Sequence, residues 1–345
     1  MQTEILAPDP KALQKAADLL LKGEVVAIPT ETVYGLAAHG LNAQAVQKIF
    51  SAKGRPSTDP LILHLPSPDL KAALAAGIVT EPFPVVAYQL ASAFWPGPLT
   101  LILPKGPKVP LEVTSGLPSV AVRYPAHPVT QKLLSILNVP LAAPSANRFG
   151  RISPTDAPAV LEELGGRVPL ILDGGSCVTG VESTVLSLMT SEPTILRPGK
   201  ITSEQLGQVI GKVPRTLSAQ SKADQSMPSP GMLESHYAPL TPLYLVDQPI
   251  THFITGMQHI HYTSNNTQLS PSRQVLTPSG DPETAAQNLY RVLRKADAQG
   301  ATAILIEPIP DSAWAPALRD RLLRASSGTA CWDGQTWKLT RRQVF

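Results

Sequence analysis

Hydrophobic and polar positions alternate with two different periods along the first 210 residues. Asp9 precedes an apolar run with helical spacing, residues 12–21, and the run stops at Gly23. A cap residue before the run and a glycine after it are typical of a helix. A short strand pattern, VVAIP at 25–29, follows at once. Helix and strand in this order predict an α/β arrangement.

The same alternation continues and predicts one α/β domain that ends near Ile210. The predicted helices are 12–21, 42–52, 85–94, 128–137, one opened by Thr155, and one that carries the capping-box pair Thr202 and Gln205. The predicted strands are 25–29, 61–65, 99–103, 120–124, 141–143, 170–172, 184–188 and 194–196.

The periodicity is lost between residues 213 and 230, where Ser, Pro, Gln and Lys dominate. Such a composition predicts a linker. After it, strand and helix patterns alternate again, with a long helix begun by Asp281 and ended by Gly300. We therefore predict a catalytic domain over 1–212, an interdomain linker over 213–241 and a smaller α/β domain over 242–345.

Composition narrows the class of protein. A chain of 345 residues is about the length of two domains, and a formal net charge of +3 does not by itself indicate a nucleic-acid-binding protein. Cys177 and Cys331 form no CxxC pair, so neither a disulfide framework nor a structural zinc site is expected. The N-terminus lacks a signal-peptide pattern, and no apolar run reaches ~18 residues. We expect a cytoplasmic protein that is neither exported nor embedded in a membrane.

The segment PTETVYGL, residues 29–36, follows a strand directly. Glu31, Thr32 and Tyr34 can each hydrogen-bond a small polar ligand, and Gly35 permits close approach of the backbone. An ordinary strand-to-helix turn with capping residues is the alternative.

The segment KGRPSTDPLILH, residues 53–64, begins with two cations one residue apart. Lys53 and Arg55 form a plausible polyphosphate clamp, although the C-terminus of a helix also attracts basic residues through its dipole. His64 ends the strand that follows, where a lone histidine is often structural.

Polar groups end several other strands of the predicted domain. Arg123 closes a buried run and needs an anionic partner, while Ser145 lies in a loop suited to phosphate. Ser183 follows a glycine-rich loop, and Arg197 ends a further strand. Walker, kinase, HExxH and GxSxG signatures are absent from the sequence, so covalent catalysis has weak support, Cys177 included. The combined pattern favours a site for a phosphate-rich ligand.

Taken in order, these segments resemble the YrdC-like threonylcarbamoyl-AMP synthases. Lys53, Arg55, Ser145 and Asn147 match the KxR and SxN signature of that family, and SPGMLESHYAP at 229–239 resembles the interdomain motif of its long, two-domain form. The resemblance covers residues 10–240 with specific motifs. It implies an α/β fold in which an N-terminal YrdC-like twisted mixed sheet and its helices surround a concave cavity. A smaller C-terminal Rossmann-like α/β domain follows, and the linker covers the active site.

The activity implied by the resemblance is that of a nucleotidyltransferase. It condenses L-threonine, bicarbonate and ATP, with Mg²⁺, to L-threonylcarbamoyladenylate and pyrophosphate, and the product feeds the tRNA threonylcarbamoyl-transfer machinery. Lys53 and Arg55 would be the catalytic residues. The residues implied to contact L-threonine are Thr32, His64, Arg123 and Ser183. Those implied to contact the nucleotide are Arg55, Asp59, Ser119, Ala143, Ser145, Asn147, Arg197 and Tyr237.

Two positions depart from the family pattern, and two other functions stay open. Asp59 stands where Asn is common, and Ser119 where Thr is common. An RNA-binding module is the alternative outside enzymes, and it leaves room for weak RNA binding, although the low net charge argues against it. Carbamoyl transfer in hydrogenase maturation is the other alternative, but it expects CxxC pairs that the sequence lacks.

Overall fold

The computed structural model describes residues 1–217, 236–264 and 272–342. It divides into two compact units, and most of the predicted linker, residues 218–235, lies outside the described residues. The described part of the first unit comprises residues 1–149, 153–178 and 182–217. The second comprises 150–152, 179–181, 236–264 and 272–342. No helix in the described ranges is both long and apolar enough to span a bilayer.

Helices and strands alternate through both units. The helices of the described residues are α1 (Pro10–Leu21), α2 (Ala43–Lys53), α3 (Leu70–Ala75), α4 (Val86–Phe94), α5 (Leu111–Thr114), α6 (Pro128–Leu137), α7 (Ala157–Leu164), α8 (Ser203–Ile210), α9 (Pro282–Asp297) and α10 (Ala315–Ala325). The strands of the first unit are β1 (Glu4–Leu6), β2 (Val26–Ile28), β3 (Gly35–His39), β4 (Ile62–His64), β5 (Leu99–Pro104), β6 (Ser119–Arg123), β7 (Leu141–Ala142), β8 (Leu170–Leu172), β9 (Thr184–Ser187), β10 (Thr194–Arg197) and β11 (Arg215–Thr216). Those of the second are β12 (Leu243–Val246), β13 (Met257–His261), β14 (Arg273–Val275), β15 (Ala303–Ile306), β16 (Gly328–Trp332) and β17 (Trp337–Arg341).

The first unit is built on one mixed sheet. Its strand order is β1-β8-β2-β3-β7-β4-β6-β5-β9-β10-β11. Parallel pairs such as β4 with β6 alternate with antiparallel pairs such as β5 with β6. This arrangement confirms the predicted fold class.

The two faces of this sheet are covered differently. Successive side chains of β4 and β6 belong to two different clusters, because they alternate between the faces of the sheet. Leu63 and Val122 lie in the main core, together with helices α2, α4, α5, α7 and α8. Ile62 and Ala121 lie in a second cluster on the opposite face. On that second face, α1 and α6 cover the half nearest β8. The buried cluster on the other half draws, among the described residues, on strands alone. We call this half, whose buried cluster contains no helical residue in the described part of the chain, the open face of the sheet.

The second unit is a smaller α/β domain, as expected. Its sheet has the order β14-β13-β15-β12-β16-β17. Every adjacent pair is parallel except β16 with β17, which is antiparallel. Asp281 caps α9 by accepting a hydrogen bond from the Thr284 amide, as its place before Pro282 predicts.

The alternative interpretation of residues 29–36 as a strand-to-helix turn is wrong. Residues 29–36 do not turn into a helix, because β3 begins at Gly35 and pairs antiparallel with β2. The Thr30 hydroxyl donates to the carbonyl of Val33 at 2.6 Å and holds the connecting loop. Small residues that are buried on both faces give β3 no alternating pattern, so its sequence carries no strand signal.

Candidate active site

The register of β4 and β6 brings two predicted residues side by side. His64 is the Cα partner of Arg123 in this parallel pair. Each lies two residues after a member of the strand-only cluster, Ile62 and Ala121, so both side chains project from the open face of the sheet. The convergence arises from pairing across about 60 residues of sequence, which local pattern does not reveal.

Arg123 is nearly completely buried and incompletely partnered. Its Nη1 donates to the Thr32 hydroxyl at 3.1 Å, and its Nη2 lies 3.7 Å from Oε2 of Glu31. Its Nε has no hydrogen-bond partner within the described part of the chain. Burial lowers the pKa of the guanidinium, and the Glu31 carboxylate opposes this shift. A buried arginine in this state is suited to receive an anionic group from a ligand.

His64 is held as a neutral imidazole. Burial places its pKa well below the ordinary value, and the charge of Arg123 lowers the pKa further. Its Nδ1 lacks a hydrogen-bond partner among the described residues. Because a buried polar atom normally has a partner, this nitrogen is a candidate contact for a bound molecule.

Ser183 and Arg197 contact each other beside this pair. Arg197 donates through Nε to the Ser183 carbonyl and through Nη2 to the Ser183 hydroxyl, each at 3.1 Å. That hydroxyl lies 2.8 Å from the hydroxyl of Thr100 on β5. The network joins three neighbouring strands and holds the Arg197 guanidinium over the open face.

Lys53 organises a loop at the other end of β4. Its buried ammonium donates to the carbonyls of Ser145 and Asn147, both at 2.5 Å. Burial lowers its pKa well below the ordinary value, as does the neighbouring charge of Arg55, while Asp59 and Glu163 oppose the shift. Lys53 therefore fixes the Ser145–Asn147 loop directly and adds positive charge to it.

Arg55 and Asp59 form a buried pair at the same end. Nη2 of Arg55 lies 2.8 Å from Oδ2 of Asp59, and both side chains of this ion pair are buried. The guanidinium also donates to the carbonyls of Asp59 and Pro60. Burial raises the pKa of Asp59 even though Arg55, Lys53 and Arg197 act to lower it. Three of the predicted cations therefore act on the charge of this carboxylate, and Arg55 contacts it directly.

The remaining predicted nucleotide contacts lie along the same strands. Ser119 and Arg123 are the first and last residues of β6 and share a face, about 13 Å apart at strand spacing. The Ala143 amide donates to the carbonyl of Ile62, and Ser145 bridges to Gly35. The predicted threonine residues thus gather at one end of β4 and β6, and most of the predicted nucleotide residues gather toward the other.

Tyr237 belongs to the second unit. Its ring stacks on Tyr290 with centroids 5.8 Å apart, and the guanidinium carbon of Arg321 lies 5.3 Å from the centre of the Tyr237 ring. Its backbone has φ +65°, which a non-glycine residue adopts only when its surroundings hold it. Its role as a nucleotide contact stays a prediction.

The described residues offer neither a cluster of three or more metal-ligating side chains nor an activated Cys177 thiolate. No group of three or more His, Cys, Asp or Glu side chains there could hold a metal ion. Burial raises the pKa of the Cys177 thiol, so this cysteine is a poor nucleophile. The arrangement is suited instead to binding, orienting and neutralising charged reactants.

Two residues that contact the predicted site residues had no specific role predicted from the sequence. Glu31 was a general hydrogen-bonding candidate, but its place beside Arg123 follows only from the fold. Thr100 was overlooked altogether, although a lone hydroxyl within the apolar strand LTLIL is a usable signal.

The raised pKa of Asp59 predicts a pH-dependent stability. The folded protein binds this proton more tightly than the unfolded chain, so stability is lost as pH rises through the folded-state pKa. Asp59→Asn removes this titrating group, so we expect Tm to fall less between pH 4.5 and pH 7.5 in the variant than in the unsubstituted protein. Scanning calorimetry at both pH values measures this, with exposed Asp18→Asn as the control. The same change in Tm relative to the unsubstituted protein at both pH values would contradict the burial argument.

Comparison with known families matches nearly the whole chain. The family described as "Telomere recombination", which groups the Sua5, YciO and YrdC proteins, matches residues 18–199. The family described as "Threonylcarbamoyl-AMP synthase, C-terminal domain" matches residues 201–327.

Curated relatives and a solved structure extend over both units. A threonylcarbamoyl-AMP synthase from Bacillus subtilis is 42% identical over 337 residues, which are 94% of this chain and 95% of the relative. One from Pyrococcus abyssi is 39% identical over 322 residues, covering 90% of this chain and 93% of the relative. The crystal structure of P. abyssi Sua5 complexed with L-threonine has a TM-score of 0.84 and 36% identity, and covers 94% of this chain and 97% of that one.

Proposed function

Because the chain belongs to the threonylcarbamoyl-AMP synthase family, we propose that it condenses L-threonine, bicarbonate and ATP to L-threonylcarbamoyladenylate and pyrophosphate. The observation that carries this proposal is that buried cations lie at both ends of β4. Arg123 lies at the end with His64, and Lys53 and Arg55 lie at the other end. The charge of Arg197 acts to lower the pKa of one group at each end, Arg123 and Asp59.

The end with Arg123 is the proposed threonine site. Its buried guanidinium retains an Nε donor without a partner among the described residues, and a carboxylate can complete a bidentate pair there. Thr32 already orients this guanidinium, and neutral His64 adds a nitrogen that can accept or donate a hydrogen bond. The Ser183 hydroxyl contacts Thr100 on β5, the strand that pairs with β6. A fixed carboxylate would hold the amino group of threonine in a defined direction.

The end with Lys53 and Arg55 is the proposed site of the triphosphate. Lys53 pins the loop that carries Ser145 and Asn147, so its hydroxyl and amide groups keep a fixed geometry. Arg55 pairs with Asp59, and the charge of Arg197 also acts on this carboxylate. We propose Ser119 and Ala143 as further nucleotide contacts along the strands, and Tyr237 as one on the strength of the family resemblance.

The chemistry requires positioning rather than a nucleophilic side chain. The amine of threonine attacks bicarbonate and forms a carbamate with loss of water. A carbamate oxygen then attacks the α-phosphorus of ATP, and the bond to pyrophosphate breaks. Negative charge grows on the leaving pyrophosphate, and fixed cations in a buried site stabilise it. Lys53 and Arg55 are the residues proposed for this role.

We propose that Mg²⁺ enters with ATP as part of the substrate. Mg²⁺ usually keeps several waters and binds through phosphates with one or two carboxylates, so a full cage of protein ligands is not required. Asp59 is a carboxylate whose charge acts on Lys53, but its pairing with Arg55 already engages it.

One assay tests the proposed function. We expect the purified full-length chain to release pyrophosphate from ATP only when L-threonine and bicarbonate are both present. Omission of either should reduce the rate to background. Release that does not depend on threonine would refute the assignment.

The setting of the reaction is also a proposal. We propose that the protein acts in the cytoplasm and hands the adenylate to the machinery that modifies tRNA, and that any RNA contact of its own is weak. The two cysteines are unbonded, as a reducing compartment would keep them.

A further inference from the structure

Glu31 is a buried carboxylate that the reaction described above does not use. It is 5% exposed, and its Oε2 accepts a hydrogen bond from the Ala126 amide at 3.1 Å. Its Oε1 is buried and has no hydrogen-bond partner among the described residues. A buried carboxylate oxygen without a donor is costly inside a protein, so its retention calls for an explanation.

Pairing with Arg123 does not explain it. The closest approach of these two side chains is 3.7 Å, whereas charge-assisted pairs of this kind usually close to about 2.8 Å. Arg123 also keeps a buried Nε without a partner in the described residues. Each member of the pair thus has unused hydrogen-bonding capacity beside the other. An arginine and a carboxylate that served only to neutralise each other would form a closed fork.

The unused capacity matches a zwitterion. An α-amino acid carries a carboxylate and an amino group on the same carbon, so its two charges arrive as close neighbours. Its carboxylate complements Arg123, and its amino group complements the free oxygen of Glu31. The hydroxyl of threonine is one carbon further from the carboxylate, which makes it the less suitable partner.

We propose that Glu31 is the residue that accepts a hydrogen bond from the α-amino group of threonine. This inference rests on the proposed function and deepens it, because it assigns the group that points the reacting nitrogen. Glu31 thereby selects α-amino acids over hydroxy acids of the same shape. Thr32, the next residue, orients Arg123, so adjacent residues of one loop control both charges of the substrate.

Two analogues, each lacking one group of threonine, isolate the contact. 3-Hydroxybutyrate lacks the amino group, and 2-aminobutyrate lacks the hydroxyl. Binding of each, and of L-threonine, to the full-length chain is measured by calorimetry without ATP. In the unsubstituted protein we expect 3-hydroxybutyrate to bind at least about 30-fold more weakly than threonine, as loss of a charged hydrogen bond predicts.

Glu31→Gln should weaken threonine and 2-aminobutyrate by about 30-fold each and leave 3-hydroxybutyrate within about twofold. Glu24→Gln, a surface substitution, serves as the control and should change none of the three. Glu31→Asp, which restores the charge, should recover part of the loss. Equal weakening of all three ligands by Glu31→Gln, or weakening confined to 3-hydroxybutyrate, would overturn the proposal.

The same experiment separates this inference from the proposed function. If the unsubstituted protein binds threonine but releases no pyrophosphate, the proposed reaction fails while the assignment of Glu31 stands. Should Glu31→Gln not fold, the comparison of analogues on the unsubstituted protein can still overturn the proposal. Equal affinity there for threonine and 3-hydroxybutyrate would exclude a contact with the amino group.

Discussion

Arg123→Met is expected to lower kcat/KM for L-threonine by about 1,000-fold. Truncating one partner of a buried charge pair costs about 2–5 kcal/mol, and every 1.4 kcal/mol is a factor of ten. Here the lost group is 3% exposed, and its donors face both Thr32 and the proposed carboxylate. Steady-state pyrophosphate release at varied threonine measures the effect, and KM for ATP should change much less.

Controls for this substitution address charge and folding separately. Arg123→Lys keeps the charge but not the planar fork, so it should recover only part of the activity. Arg167→Met, an exposed arginine whose Nη1 donates to the Ala52 carbonyl, should behave like the unsubstituted protein. Removal of Arg123 also leaves Glu31 without its counter-charge, so Arg123→Met with Glu31→Gln should regain thermal stability but not activity. Normal threonine kinetics in Arg123→Met would remove Arg123 from the site.

Lys53→Met is expected to lower kcat/KM for ATP by about 100- to 1,000-fold. A loss in kcat/KM of this size is typical when a preorganised electrostatic contact is removed from a buried site. Methionine fills a similar volume but donates no hydrogen bond, so the carbonyls of Ser145 and Asn147 lose their donor and the loop loosens. Threonine binding, measured by calorimetry without ATP, should stay within about threefold because its proposed residues lie at the other end of β4.

Helix α2 offers a matched control for Lys53. Lys48 lies on the same helix, but its side chain is 45% exposed and pairs with Glu24 on the surface. Lys48→Met should therefore leave both kinetic constants unchanged. A loss of threonine affinity in Lys53→Met as large as its loss for ATP would indicate general unfolding of the site rather than release of one loop.

Most elements with a clear period were predictable from local sequence. Helix α1 follows from Asp9, Pro10 and an apolar stripe, and α8 carries the capping box that Thr202 and Gln205 predict. Strand β3 was missed because its small residues are buried on both faces. The helix after Thr155 begins one residue later than predicted, because the Asp156 side chain accepts the hydrogen bond from the Ala159 amide.

The candidate site was predictable only as separate parts. Sequence pattern placed His64, Arg123 and Arg197 at the ends of strands, and these positions are as expected. Pattern did not reveal that His64 and Arg123 are register partners in β4 and β6. Pattern also did not reveal that the Lys53 ammonium donates to the carbonyls of Ser145 and Asn147. All three residues belong to the KxR and SxN signature of the family. The assignment of each residue to threonine or to ATP stays a prediction.

The sequence by itself determined the class of fold, the residue types available for chemistry and the family resemblance. These depend on local periodicity, capping and short motifs, which neighbouring residues encode. Only the tertiary structure decided which groups meet: the pairing of β4 with β6, the half of the sheet face left without helices, and the loose contact between Glu31 and Arg123. The reason is physical, because register between distant strands and the burial of a charged atom depend on the packing of the whole unit, and no local segment specifies them.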